Sequence, residues 1–290
     1  MAHEILINVT PQETRVAMLE QGVVQELHVE RASARGLVGN VYLGRVARVL
    51  PGMQSAFLEI GLERAAFLHI ADIWEHRQNG HGGEQKPIER ILHEGQSLLV
   101  QVIKDPIGTK GARLSTQVSL AGRLLVYLPQ DSHIGISQRI GDEAERESLR
   151  ERLQHLLPEG LAGGFIIRTM AETASEREMQ ADIEYLTKLW SDLTERSHEA
   201  PPATLLYQDL NLAQRVLRDM STEETARVLV DSRETFVRMQ DFARQYTPAL
   251  ADRINHYVGD RPLYDLHGVE DEIEKALARR VDLKSGGYLI

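Results

Sequence analysis

The chain has 290 residues, 42% hydrophobic and 26% charged, with a net charge of −10 and no cysteine. Such a composition is that of a soluble globular protein; it excludes disulfides and thiolate metal sites within these residues, argues against an indiscriminate polyanion binder, and fits a cytoplasmic protein. No apolar run approaches the roughly 18 residues of a membrane span, "MAHEILINVT" carries neither a basic segment nor an apolar signal core, and a chain of this length is expected to hold two or three domains.

Residues 4 to 30 read as a three-strand meander, "EILINVT", "TRVAMLE" and "VVQELHVE", punctuated by Pro11-Gln12 and Gln21-Gly22. A sheet this small seldom stands alone, so its partners are expected further along the chain. After Gly36 to Asn40 come five strand-like runs, "VYLGRVARVL", "QSAFLEI", "AAFLHI", "SLLVQVI" and "ARLSTQVSL". Five short strands in about 80 residues, with the longest connection between the third and fourth, point to an OB-type barrel. The polar loop at 74 to 95 contains His76 and His81, and reads as a surface loop rather than a metal site.

Alternation along a strand sorts the second and third runs into two faces. Ala56, Leu58 and Ile60 share one face, and Phe57 lies on the other with Ser55 and Glu59; Ala66, Leu68 and Ile70 share a face, and Phe67 lies with Ala65 and His69. Both rings therefore fall on the polar side. Leaving them wet forfeits roughly 1.5–3 kcal/mol of burial each. Either something flat stacks on them, or they pack beneath the 74–95 loop or a neighbouring domain. From Arg31 to Leu58 the chain has four arginines, Arg31, Arg35, Arg45 and Arg48, and no acid, and Lys104, Lys110, Arg113 and Arg123 follow with only Asp105 among them. This local positive bias is either a solvated face or an electrostatic groove.

Between 121 and 200 the pattern changes to α+β: strand-like "RLLVYLP" and "GISQRI", a helix opened by Asp142, the strand "GGFIIRTM", and a helix started by the capping box Ser175 to Glu178. Met179, Ile183, Leu186, Trp190 and Leu193 continue that helix at helical spacing. Pro201-Pro202 stops it. From 204 onward "TLLYQ", "NLAQRVLRDM", "ARVLVD", a helix over 232–246, "INHYV" and "VEDEIEKALARRV" alternate strand and helix. These are expected to complete the N-terminal meander into a mixed sheet resembling the ribonuclease H fold. That fold's metal-binding acids are missing from Ile5-Leu6-Ile7-Asn8-Val9, which predicts a scaffold rather than an active site. The closing "LKSGGYLI" begins an apolar strand and stops within it, as if the parent protein continued.

The stretches "INVTPQETRVAMLEQGVVQELHVER", "GNVYLGRVARVLPGMQSAFLEIGLERAAFLHI", "DPIGTKGARLSTQVSLAGR", "GGFIIRT", "NLAQRVLRD" and "LKSGGYLI" resemble the N-terminal half of the ribonuclease E/G family, over essentially all 290 residues. The resemblance implies an α+β multidomain protein. A ribonuclease H-like mixed sheet would be built from 1–36 and 201–280, an inserted OB-fold five-stranded barrel that binds RNA from 37–120, a 5′-sensor domain from 121–200, and the start of a nuclease domain from 281–290. It implies an endoribonuclease that cuts single-stranded RNA and prefers a 5′-monophosphorylated end, in rRNA maturation and mRNA turnover. Its Mg²⁺ would be held by two aspartates following "SGGYLI", the kind of ion that phosphodiester hydrolysis uses. No catalytic or metal-binding residue is therefore expected in this chain, which would be inactive alone. The parent is implied to be a homo-oligomer associating through segments past this terminus, including a cysteine motif, and this piece a monomer.

By the same resemblance Phe57 and Phe67 match an aromatic pair that stacks on bases, and Lys110 a loop lysine that reaches RNA. Arg168 and Thr169 match the pair that holds a 5′-phosphate, with Gly122 and Val126 offering backbone groups nearby. Arg139 would assist, although Gln138 replaces a basic residue of some relatives. The rival reading is a non-catalytic single-stranded RNA-binding or assembly module working through the barrel alone; a third treats the acidic region after Gly141 as a protein-docking surface.

Overall fold

The computed structural model describes residues 3–79, 86–221, 224–283 and 285–290; His81 lies outside the described residues. The chain forms two compact units, one from Met1–Arg35 with Leu210–Ile290, the other from Gly36–Asp209.

The first unit begins with the expected meander, β1 (His3–Val9), β2 (Glu13–Glu20) and β3 (Val23–Arg31). Gln21 and Gly22, both at positive φ (52° and 78°), make the two-residue turn between β2 and β3. Ile5, Leu6 and Ile7 of β1 are fully buried, the run of apolar residues expected of a strand covered on both faces.

The second unit opens with β4 (Val41–Leu50), β5 (Ser55–Glu59), β6 (Ala66–His69), the short helix α1 (Trp74–Asn79), β7 (Ser97–Lys104) and β8 (Arg113–Ser115). These strands pair in the order β4-β5-β6-β8-β7, and β7 pairs back onto β4, closing a five-strand barrel. Its core is built from one face of each strand, including Val46, Ala56, Leu58, Ala66, Leu68, Val100, Val102 and Leu114.

The run "ARLSTQVSL" is not one strand. It leaves the barrel after Ser115 because polar side chains take its backbone donors: Gln117 N–H donates to Ser115 Oγ (3.1 Å) and Ser119 N–H to Gln101 Oε1 (2.9 Å). Its end becomes β9 (Leu120–Ala121) of a separate sheet, joined by β10 (Leu125–Leu128), β11 (Ile134–Ile136) and β12 (Gly164–Ile167) in the order β11-β12-β10-β9. Helix α2 (Glu143–Leu156) starts at Asp142, whose carboxylate accepts from Ala144 N–H. Helix α3 (Glu176–Glu199) starts at the Ser175 capping box and buries Met179, Ile183, Leu186, Leu189 and Leu193.

The segment expected to return to the meander after the prolines does not do so at once. β13 (Thr204–Tyr207) pairs with β4 and widens the barrel sheet. Ala203, at φ 64°, turns the chain there and donates its N–H to Leu43 O (2.7 Å), and Leu206 is buried.

The chain then re-enters the first unit through α4 (Leu212–Arg215), which continues into a π turn over Val216–Met220, and β14 (Thr225–Val230). There follow α5 (Arg233–Tyr246), α6 (Pro248–Ala251), β15 (Ile254–His256), α7 (Leu263–Leu266) and α8 (Val269–Leu277), then a terminal hairpin, β16 (Val281–Asp282) with β17 (Tyr288–Leu289). β14 runs parallel to β1 and β15 parallel to β14, so the meander becomes a five-strand mixed sheet ordered β15-β14-β1-β2-β3.

At the end of β1 a chain of polar contacts ties the sheet to its helices. Asn8 Nδ2 donates to Asp231 (2.6 Å), Arg15 donates to Asn8 Oδ1 (2.9 and 2.7 Å) and pairs with Glu270 (2.7 Å), and the Arg15 guanidinium lies 4.8 Å from the centre of the Tyr264 ring. Among the described residues no three His, Asp or Glu side chains cluster as metal ligands, and no helix is long and apolar enough to cross a membrane.

Candidate nucleic-acid interface

Phe57 and Phe67 are directly opposed across the β5–β6 ladder. Their rings meet edge to face at 61°, with centroids 6.1 Å apart, a favourable geometry for an aromatic pair. Ala56, Leu58, Ala66 and Leu68, the alternating neighbours, are fully buried in the barrel, whereas both rings are half-buried on the opposite face. Neither ring belongs to the core. The His69 ring stands 6.4 Å from Phe67 on the same face, its Nδ1 accepting from Ala71 N–H (3.1 Å). Ser55 departs from the alternation: it is buried, and its hydroxyl donates to Met53 O (2.8 Å).

Lys110 is exposed, in a tight loop closed by mutual backbone hydrogen bonds with Ile107. Arg64 donates to Gly108 O in the same loop. Two residues beyond Lys110, Ala112 O accepts the N–H of Phe67 (2.8 Å), which ties the loop to the strand that carries the second ring.

A second cluster surrounds the turn between β9 and β10. Arg168, following β12, donates from Nη1 to the carbonyls of Gly122 and Arg123, and its own N–H goes to Leu124 O (2.8 Å). Thr169 begins the short helical turn that follows, half-buried beside it. Val126 sits between Ile166 and Ala121 in the sheet. Gly122 N–H closes the turn onto Leu125 O (2.8 Å). Arg139 is exposed in the turn that follows β11. The structure thus brings Gly122, Val126, Arg168 and Thr169 together, and places Phe57, Phe67 and Lys110 on the barrel.

Sequence reasoning missed Asp182. From helix α3 its buried carboxylate accepts three backbone N–H groups of the same turn, those of Arg123 (2.9 Å), Leu124 (2.9 Å) and Leu125 (2.8 Å). One turn earlier on α3, Glu178 pairs with Arg123 (3.1 Å). Hydrogen bonding from the Ser175 backbone, aided by the Ser175 hydroxyl and Arg123, holds the Glu178 carboxyl below its ordinary range. The turn is bracketed by a carboxylate on its donors and a guanidinium on its acceptors. A signal existed in the sequence: position 182 falls on the stripe of Met179, Ile183 and Leu186, where an acid is out of place.

The chain is 50% identical over its whole length to ribonuclease G of Escherichia coli (strain K12), and 48% identical to ribonuclease G of Haemophilus influenzae, covering 60% of each of those proteins. It is 35% identical, over 99% of its length, to ribonuclease E of H. influenzae, of which it covers 31%. It therefore spans about 60% of the length of its ribonuclease G relatives. The model of the ribonuclease E/G family matches residues 119–290, more than half of the chain, and the protein belongs to that family.

Proposed function

We propose that this chain is the substrate-reading portion of a single-strand-specific endoribonuclease of RNA processing and decay. The observation that carries the reading is the Phe57–Phe67 pair, two rings kept off the barrel core on a face that also bears Arg48. Base stacking on such rings is worth about 1–3 kcal/mol per base and tolerates any sequence. In this reading the barrel is an OB fold, and Lys110 adds a compact positive charge for a phosphate. The mixed sheet, with its strand order β15-β14-β1-β2-β3, is a ribonuclease H-like scaffold. At the end of β1 Asn8 donates to Asp231 and Arg15 donates to Asn8.

The four-strand sheet is the 5′-sensor. A terminal phosphate monoester carries about −1.5 to −2 charges and three acceptor oxygens. Arg168 is positioned by the two carbonyls it donates to, and a planar guanidinium followed in the chain by the hydroxyl residue Thr169 suits a group with several acceptor oxygens. In this reading the chain end lies beside the turn of Gly122 and the strand position of Val126, which flank Arg168. A 5′-triphosphate sets its terminal charge elsewhere, which disfavours it.

The parent protein would use Mg²⁺ for phosphodiester hydrolysis. No described residues of this chain cluster to hold that ion, and no chemical step is assigned to them. The role of these residues is to bind the strand and orient its end. Self-association belongs to the parent. Fluorescence anisotropy with matched single-stranded oligonucleotides tests the reading: 5′-monophosphate should bind more tightly than 5′-hydroxyl, and Arg168→Ala should close the gap. Equal binding of both by the unsubstituted chain would overturn the sensor assignment.

A further inference from the structure

Arg48 reaches the aromatic face only because β4 carries an irregularity. Val46 pairs with Leu58 and points into the core, yet the next pair along the ladder is Arg48 with Phe57, so Ala47 and Arg48 together face one partner residue. A bulge of this kind adds one residue and re-aims those that follow. Regular alternation would have set Ala47 beside Phe57 and turned Arg48 inward. With the bulge, Val49 resumes packing on the core and Arg48 stands exposed beside the first ring. Arg48, Phe57 and Phe67 thus form one row across β4, β5 and β6.

Two other arginines on these strands are already paired. Arg45, three residues earlier on β4, pairs with Glu59 (2.5 Å), and Arg113, which pairs with Phe67 across the ladder, is held by Asp72 (2.8 Å). Among the described residues no carboxylate pairs with Arg48. An unneutralised guanidinium beside two half-exposed rings has the donor set for a phosphodiester whose flanking bases lie on those rings.

We infer that Arg48 is a phosphate-binding residue of the barrel face, aimed there by the β4 bulge, so that a single nucleic-acid strand crosses the barrel strands along the row Arg48–Phe57–Phe67. The inference rests on the barrel being the single-stranded RNA surface. A cation that neutralises one phosphate of a single strand contributes about 0.7 to the slope of log affinity against log salt.

The test uses the whole chain and an unstructured 5′-hydroxyl oligouridylate, which leaves the proposed end-binding pocket out of the measurement. Arg48→Gln should flatten the salt slope by about 0.7, so that the loss of affinity from about 50 to 200 mM salt shrinks by about 2.5-fold. Arg48→Lys should keep the slope. Arg45→Gln, which removes a paired cation, should leave it unchanged. If Phe57→Ala with Phe67→Ala weakens binding while Arg48→Gln leaves the slope as it was, the Arg48 assignment alone falls. If the ring substitutions leave affinity intact, the barrel reading falls and takes this inference with it.

Discussion

Asp182 lies against the one residue of its turn that lacks a side chain: a Cβ built on Gly122 would stand 2.5 Å from Asp182 Oδ1 and collide with Oδ2 as well. The absence of a methyl group is what lets the carboxylate reach the donors of Arg123, Leu124 and Leu125. Asp182→Ala would strand three backbone donors, two of them in hydrogen bonds that are fully buried. The expected loss is about 2–4 kcal/mol, and Gly122→Ala should cost about 1–3 kcal/mol through the clash. Urea denaturation measures both. Losses below about 0.5 kcal/mol would show that the turn stands without the carboxylate.

Arg168→Lys separates charge from geometry. A lysine keeps the positive charge but has no planar fork to hold the Gly122 and Arg123 carbonyls while meeting a phosphate. The preference for 5′-monophosphate over 5′-hydroxyl ends should fall nearly as far as in Arg168→Ala. Competition binding reads it directly, and a lysine variant with full preference would assign the site to charge alone.

Replacing Phe57 and Phe67 by alanine removes rings that lie outside the barrel core. Stability should drop by no more than about 2 kcal/mol for the pair, while affinity for unstructured RNA should fall at least tenfold, about 1.4 kcal/mol, from lost stacking. Thermal melting alongside binding decides between the roles: a large loss of melting temperature would make the rings core residues.

Tyr264 gives an alkaline prediction. Burial pushes its phenol pKa up; Asp231 and Glu270 add to the rise and Arg15 opposes it. In the unfolded chain a tyrosine ionises near pH 10, but in the fold it stays neutral well above that. Its contribution is therefore fully present below about pH 10 and falls by about 1.4 kcal/mol per pH unit above it. Its hydroxyl is buried with no hydrogen-bond partner, so Tyr264→Phe should be neutral or stabilising at pH 8. Denaturation of both proteins at pH 8 and 10.5 should show the difference between them widening in favour of Tyr264→Phe. A constant difference would rule out the buried phenol as its source.

Alternation alone placed Phe57 and Phe67 opposite Ala56 and Leu68, because period-2 faces are a local property of a strand. The capping box at Ser175 and the stripe of α3 were equally legible. What escaped depended on distant partners. β13 joins β4 rather than the meander because Ala203 and Leu206 find their places on the barrel, and nothing within "TLLYQ" distinguishes one sheet from the other. The break after Ser115 needed Gln101, and the place of Asp182 needed the turn at Gly122. The π turn after Arg215 is marked by no glycine or proline in the sequence around it.

The start of helix α3 fixes more than where that helix begins. Successive residues advance by about 100° around the axis, and Ser175, bonded reciprocally to Glu178, sets the angular origin from which Asp182 is counted. An insertion or deletion between the two would swing the carboxylate away from its three donors, whereas the same change past Leu193 would leave them undisturbed. Ser175 thus works as a locating key for a residue it never touches, and tolerance to length change should rise abruptly along a single helix.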